Sequence, residues 1–294
     1  MQLTKEQLDF YEAKGYLFIP EGFPQVEIEA LKAEIPKVLA EDSIRRVVEK
    51  DGHMVRSVYG THLHNETFNL LSRHPRIVLP AMRVLGSDVY VYQFKINAKA
   101  SFGGDLWEWH QDFIFWQRED GMPAPRVLNA VIFLDEVNEF NGPVYLIPGS
   151  HAEGVIDCLA EDKPLASEVE PTYGSSPVWI NNLTANLKYA LTKEVVARLV
   201  AKYGLVAPKG PAGSILFFHS NVVHASTNNI SPFDRRTVIV SFNSVENLPV
   251  STAPPRPEFI VSRDATPIVP VAENAFWATK RHKKHKKQLA GFSF

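Results

Sequence analysis

The spacing of apolar positions changes character along the chain. Over residues 4–14 it is helical. Thr4 and Gln7 form a capping box, Leu3 and Leu8 flank it as a staple, and Gly15 suits the position after the last turn. Tyr16–Ile19 reads as a short strand. Pro24 opens a second helix with Val26, Ala30 and Leu31 on one face, and Pro36 is expected to end or kink it. Asn65 and Pro75 start two further helices, the second carrying Ile77, Val78, Ala81, Met82 and Leu85 and closing at Gly86. From residue 88 the pattern becomes that of strands, rich in β-branched and aromatic residues: Asp88–Ile96, the stretch around His110, Val127–Leu134, Val144–Ile147, Ser214–Phe218 and Arg236–Phe242. Turn signals at Asp120–Pro125 and Asn141–Pro143 separate them.

Many short strands punctuated by Gly, Pro and Asn, with helices gathered at the N-terminus, predict a mainly β fold: a sandwich or jelly-roll barrel with flanking helices. The expected organisation is one domain over 1–294, with N-terminal helices to residue 86, a jelly-roll core over 88–246, and an irregular, proline-rich extension over 247–294. An insert over about 152–210 interrupts the core. It holds one amphipathic helix capped by Thr192 and stopped by Gly204, and inserts of this kind are often lids.

Composition narrows the function classes. A net charge of −2 gives no general pull toward nucleic acid or an anionic membrane, and the basic run Lys280–Lys287 reads as a solvated tail. No apolar run approaches the ~20 residues of a membrane span, and the polar start lacks a secretory signal's apolar core. A single cysteine, Cys158, excludes an internal disulfide and a thiolate zinc site. The expectation is a cytoplasmic, enzyme-sized protein, monomer or homodimer, whose partner is a small molecule.

The chemistry concentrates in Trp107–Trp116, around His110-Gln111-Asp112. A His and an Asp two residues apart on an extended backbone point to one side. They are two thirds of a 2-His-1-carboxylate set for Fe(II), and a His on a later strand completes it. His224 is well placed, with His219 its strongest rival.

Four segments in order resemble the phytanoyl-CoA/ectoine hydroxylase branch of Fe(II)- and 2-oxoglutarate-dependent dioxygenases. They are Trp109-His-Gln-Asp-Phe113 with Trp116; Asp120-Gly-Met-Pro123; Asn141-Gly-Pro-Val-Tyr-Leu-Ile-Pro-Gly-Ser-His151; and His224-Ala-Ser226 followed by Asn229-Ile-Ser-Pro232 and Arg235-Arg236. Val55–Tyr59 and Tyr92–Asn97 look closest to hydroxylases of free amino acids, including leucine. The resemblance implies a double-stranded β-helix core, the metal ligands His110, Asp112 and His224, and the co-substrates 2-oxoglutarate and O2. It implies that Arg235, eleven residues after His224, holds the far carboxylate of 2-oxoglutarate. Ser226 and Gln93 match further co-substrate contacts, and Asn129 and Asn97 are weaker matches. Because Asp112 is present, hydroxylation is favoured over the halogenation seen where the carboxylate is replaced.

For a free, aliphatic amino acid, the carboxylate needs a cation, with Arg56 first and Arg118 or Arg126 behind it. Tyr59 and His62 are candidate hydrogen-bonding groups, and Phe115, Trp116 and Val178 candidate apolar walls. Ectoine or a carrier-bound natural-product intermediate is the alternative substrate. The non-enzyme alternative is a cupin-like metal-binding module, which has no use for Arg235 or Ser226 at these spacings.

Overall fold

In the computed structural model, described over residues 1–49, 51–157, 183, 187–250 and 255–276, local sequence signals start and stop the first helix as anticipated. In α1 (Lys5–Lys14) the Gln7 backbone N–H donates to Thr4 Oγ1 at 3.3 Å, and Gln7 Oε1 accepts from the Thr4 N–H at 2.9 Å. Gly15 closes α1 at φ 72°, where a Cβ would lie 2.4 Å from His151 Nδ1. Only glycine fits both the left-handed backbone and that close approach.

Helices α2 (Gln25–Lys32), α3 (Ile35–Ala40), α4 (Glu66–Ser72) and α5 (Pro75–Leu85) follow, with Gly86 ending α5 in the left-handed region. Two expectations shift here. Val26 is exposed and Ile28 takes its place in the core of α2. Pro36 neither kinks nor ends a helix: α2 stops at Lys32, and Pro36 sits in the first turn of α3, where its missing N–H has no intrahelical partner to lose.

The strands form two antiparallel sheets. The larger contains β1 (Tyr16–Ile19), β8 (Ile215–His219), β6 (Val127–Phe133), β10 (Arg235–Ser244), β4 (Val89–Lys99), β3 (Val55–Tyr59) and β2 (Arg46–Val48), in that spatial order. The smaller is β5 (Trp107–His110), β9 (His224–Ser226) and β7 (Val144–Leu146), also in spatial order. This is the jelly-roll arrangement the strand pattern predicted.

The two-residue alternation of side chains sorts the large sheet into two faces. Phe94 and Ile96 of β4, Leu128, Ala130 and Ile132 of β6, and Val238, Val240 and Phe242 of β10 pack against Ile28, Leu31, Phe68, Leu71, Ile77 and Val78 of the helices. The other face carries Gln93, Lys95, Asn97 and Lys99 of β4, Asn129 and Val131 of β6, and Arg235, Thr237, Ile239 and Ser241 of β10. A register shift opposite Ser241/Phe242 puts Tyr92 on this second face too, beside Gln93.

The insert is described at residues 152–157, 183 and 187–210, and α7 (Lys193–Tyr203) starts at the Thr192 cap and stops at Gly204 as its sequence predicts. Val178, Cys158 and the 280–287 run lie outside the described residues. Among the described residues no helix is long and apolar enough to cross a membrane.

Candidate metal centre and its two cavities

β5 delivers His110 at its last residue, cross-strand from His224 at the start of β9. Asp112 is not on a strand. Gln111 is extended (φ −111°, ψ 139°) and caps helix α6 (Asp112–Asp120), so Asp112 opens the first turn. The aromatic run after Asp112 reads as strand, but the helix buries Phe113, Ile114, Phe115 and Trp116 around its circumference. Burial on all sides removes the period that would have marked it as helical. The Gln111 side chain fixes the bend. Its Nε2 donates to the carbonyls of Gly154 and Asn221, both at 2.8 Å, and its Oε1 accepts from the Ile156 N–H at 2.9 Å.

The donor atoms of His110, Asp112 and His224 lie within 4.8 Å of one another, the one such cluster among the described residues. Asp112 Oδ1 is 3.7 Å from His110 Nε2 and 3.9 Å from His224 Nε2. His110 Nδ1 lies 2.6 Å from the Glu108 carbonyl and His224 Nδ1 3.0 Å from the Val222 carbonyl. A carbonyl only accepts, so each Nδ1 carries the proton and each Nε2 turns a lone pair toward Asp112 Oδ1. Burial, with His110 adding to it, lowers His224 to about 4 and keeps that imidazole neutral. Burial alone would raise the Asp112 carboxyl, but His224, His110 and Lys95 together hold it below the usual carboxylate range. Two imidazole nitrogens and one carboxylate oxygen converging on one point fit a divalent cation such as Fe(II).

His219 is not part of this cluster. Its Nδ1 accepts from the Asn221 N–H at 3.0 Å and its ring sits 5.3 Å from that of His151.

Two cavities meet at the centre, sharing Lys95, Trp107, His110 and Asp112. The first lies over β4, β9 and β10 and includes Asn97, Lys99, Ser226, Thr237 and Arg235. Arg235 is 3% exposed, and among the described residues no carboxylate lies within salt-bridge distance of it. One Nη donates to the Gly142 carbonyl at 2.6 Å, while Nε has no partner. That carbonyl belongs to the predicted Asn141–Pro143 turn, where Gly142 sits at φ 74° and a Cβ would lie 2.5 Å from the Thr227 carbonyl. Burial lowers Arg235 to about 10, against the pull of Asp135 and with a push from Arg56. Its neighbour Arg236 faces away and pairs with Asp135 through Nε and Nη2 at 2.7 and 2.9 Å. Ser226 Oγ, Asn97 Oδ1 and Thr237 Oγ1 are buried without partners in the same region. A buried, uncompensated guanidinium among unpaired polar atoms is a site for an anion.

The second cavity runs past Tyr59, Gln93, Phe115, Trp116, Leu183, Leu187 and Arg256. Tyr59 is fully buried and its hydroxyl lacks a partner. Here the expected apolar walls, Phe115 and Trp116, meet a polar rim.

Four expectations are corrected. Gln93 lines the second cavity, away from Arg235, and donates to the Ile260 carbonyl at 3.0 Å. Asn129 lines neither cavity: its Nδ2 donates to Asp112 Oδ2 at 2.9 Å. Arg56 borders the first cavity, but Glu49 neutralises it at 3.0 Å, the Leu106 carbonyl accepts from it at 2.9 Å, and Trp107 stacks on it at 3.8 Å. It is therefore a structural cation rather than a free one. His62 is turned to the helix side of the sheet, its ring 4.8 Å from that of Phe94, and burial lowers it to about 4. Arg118 and Arg126 pair with Asp157 and Glu246 at the surface.

Three cations were missed. Lys95 and Lys99 alternate with Gln93 and Asn97 along β4, so strand period alone could have found them. Arg256, bound to Asp120 through its Nε at 2.8 Å, comes from the irregular C-terminal extension and carries no such signal.

The phytanoyl-CoA dioxygenase (PhyH) family profile matches residues 11–237. The L-proline trans-4-hydroxylase of Streptomyces griseoviridis is 38% identical over 261 residues, covering 89% of this chain and 93% of the relative. An ectoine dioxygenase of Nocardia farcinica is 36% identical, covering 91% and 88%. The crystal structure of EctD from S. alaskensis with 2-oxoglutarate and 5-hydroxyectoine superposes with a TM-score of 0.76 at 27% identity, over 92% of this chain and 87% of that one. By the extent of these matches, and with the His-Asp-His cluster standing between its sheets, the chain belongs to the phytanoyl-CoA dioxygenase (PhyH) family.

Proposed function

We propose that this protein is an Fe(II)- and 2-oxoglutarate-dependent hydroxylase of a free amino acid, with a cyclic one such as L-proline ahead of leucine. The observation that carries the reading is the uncompensated Arg235 beside three converging metal donors. The ranking of substrates is supported by the proline hydroxylase relative, matched across nearly its whole length.

His110, Asp112 and His224 would hold iron through Nε2, Oδ1 and Nε2. Bound iron supplies the oxygen activation that couples conversion of 2-oxoglutarate to succinate and CO2 with insertion of one oxygen atom into a substrate C–H bond. The chain's own residues do the rest. Arg235 takes the far carboxylate of 2-oxoglutarate through its free Nε edge, and Ser226 and Asn97 supply hydrogen bonds along the same cavity. Lys95, shared by both cavities and without a salt bridge among the described residues, is the cation best placed for the substrate carboxylate. That role passes to it from Arg56, which Glu49 already neutralises. Tyr59 and Gln93 offer hydrogen bonds, and Phe115 and Trp116 exclude water from the aliphatic part of the substrate.

The test is succinate formation by iron-loaded protein given O2, 2-oxoglutarate and a panel of proline, leucine, the other amino acids and ectoine, with product masses. A gain of one oxygen on proline, coupled to succinate, is expected. Hydroxylated leucine with unmodified proline would restore the aliphatic assignment. Hydroxylated ectoine alone would remove the amino-acid reading.

A further inference from the structure

Three strands place a polar row across the large sheet. Gln93 of β4 pairs in register with Ser241 of β10, and Ser241 with Asn129 of β6. Asn129 and Ser241 are 0% and 1% exposed. Ser241 Oγ donates to Asn129 Oδ1 at 2.6 Å, and Asn129 Nδ2 donates to Asp112 Oδ2 at 2.9 Å. The polarity of this chain is fixed by chemistry. A carboxylate only accepts, so Asn129 must turn its NH2 to Asp112, and its carbonyl oxygen then needs a donor, which Ser241 supplies. On β8 the cross-strand partner of Asn129 is the apolar Phe218, which offers its amide no hydrogen bond.

The consequence lies in which oxygen of Asp112 is left over. Oδ1 faces the two imidazole nitrogens at 3.7 and 3.9 Å, while Oδ2 is held away by Asn129. A carboxylate can bind a cation through one oxygen or two. Three protein donors leave a six-coordinate cation three positions, two for the 2-oxo acid and one for O2. A second carboxylate oxygen would occupy the last.

We propose that Asn129, keyed by Ser241, is a positioning residue that makes Asp112 a one-oxygen ligand and so keeps the third position open. This rests on the reading of His110, Asp112 and His224 as metal ligands. Asn129 touches neither substrate nor co-substrate; it acts through Asp112.

The experiment uses full-length protein loaded with Mn(II), with and without 2-oxoglutarate, and reads water-proton relaxation, which reports exchangeable water on the metal. Wild type should keep water access in the ternary complex. Asn129→Leu, close in volume but without a donor, should lose it, and turnover should fall by about 10- to 100-fold. A folded, Mn(II)-binding Asn129→Leu with wild-type relaxation in the ternary complex overturns the proposal. If Asn129→Leu does not fold by circular dichroism, Ser241→Ala decides. It removes one hydroxyl, frees the Asn129 amide to flip, and should shift relaxation in the same direction; an unchanged value overturns the proposal. A merely structural pair would lower the unfolding temperature of the metal-free protein without moving relaxation. Failure of the wild-type protein to bind Mn(II) or 2-oxoglutarate shows before any variant is made and removes the metal reading itself, and this proposal with it.

Discussion

The two cavities on either side of Asp112 are built from different materials. The Arg235 cavity is walled by strands: β4, β9 and β10 bring Asn97, Lys99, Ser226 and Arg235 to it with their backbones locked in ladders. The Trp116 cavity draws on β3, β4 and β5 but takes much of its wall from α6, the insert at Leu183 and Leu187, and the C-terminal extension at Arg256. The difference teaches which part of the reaction is fixed and which can vary. A co-substrate that never changes suits a rigid wall, whereas loops and extensions are where substrate choice can be altered without disturbing the sheet.

The comparison can be broken from the centre outward. Asp112→Ala removes the one anionic donor shared by both cavities, so coupled turnover should vanish with every substrate, and measurable product on any of them would refute the ligand assignment. Arg235→Ala should raise the 2-oxoglutarate KM by about 10- to 100-fold, the range for a hydrogen-bonded charge, and leave substrate KM in place. Phe115→Leu should do the reverse, raising the substrate KM about tenfold, as expected for a reshaped apolar pocket. If either variant moved both constants equally, the division between the cavities would fail. The smallest effect is protonic. Burial first, then Arg235 and Arg56, lower Lys99 to about 6. Between that value and its ordinary range Lys99 is neutral while the cavity is empty, and a dicarboxylate arriving beside it favours the charged form. Binding of 2-oxoglutarate should therefore take up a proton and weaken as pH rises above about 6. Calorimetry in two buffers of different ionisation heat would show this, and equal heats would exclude it.

The metal centre was legible because its residues sit in short segments with fixed internal spacing, and the strands because alternation survives one buried face. What could not be read was compensation. Arg56 looks like a free cation until β2 and the turn after it bring Glu49 to 3.0 Å. His62 looks polar and available until Phe94 covers it. Helix α6 hid behind its aromatic residues, since burial on every side erases the stripe that marks a helix. Gln93 and Asn129 were singled out as matches to co-substrate contacts, but they lie toward the other end of the ladder from Arg235, which pairs with Lys99 while Gln93 and Asn129 flank Ser241, and that register is not written in any one segment.

The irregularity in β4 opposite Ser241/Phe242 sets a reading frame. Upstream of it Tyr90 and Tyr92 look inward, and downstream Gln93, Lys95, Asn97 and Lys99 do, so the strand changes parity once without leaving the sheet. Tyr92 is the extra residue there, and losing it would leave the pairings on both sides unchanged, but losing one residue between Gln93 and Lys99 would act on the fold as a frameshift acts on a message. The polar groups on one side of that loss would exchange sides with Phe94 or Ile96, draining charge from the cavities and forcing it into the helix-packed core. The chain can change length in the turn after Lys99 at little cost to the centre, but between Gln93 and Lys99 its residue count is part of the active-site design.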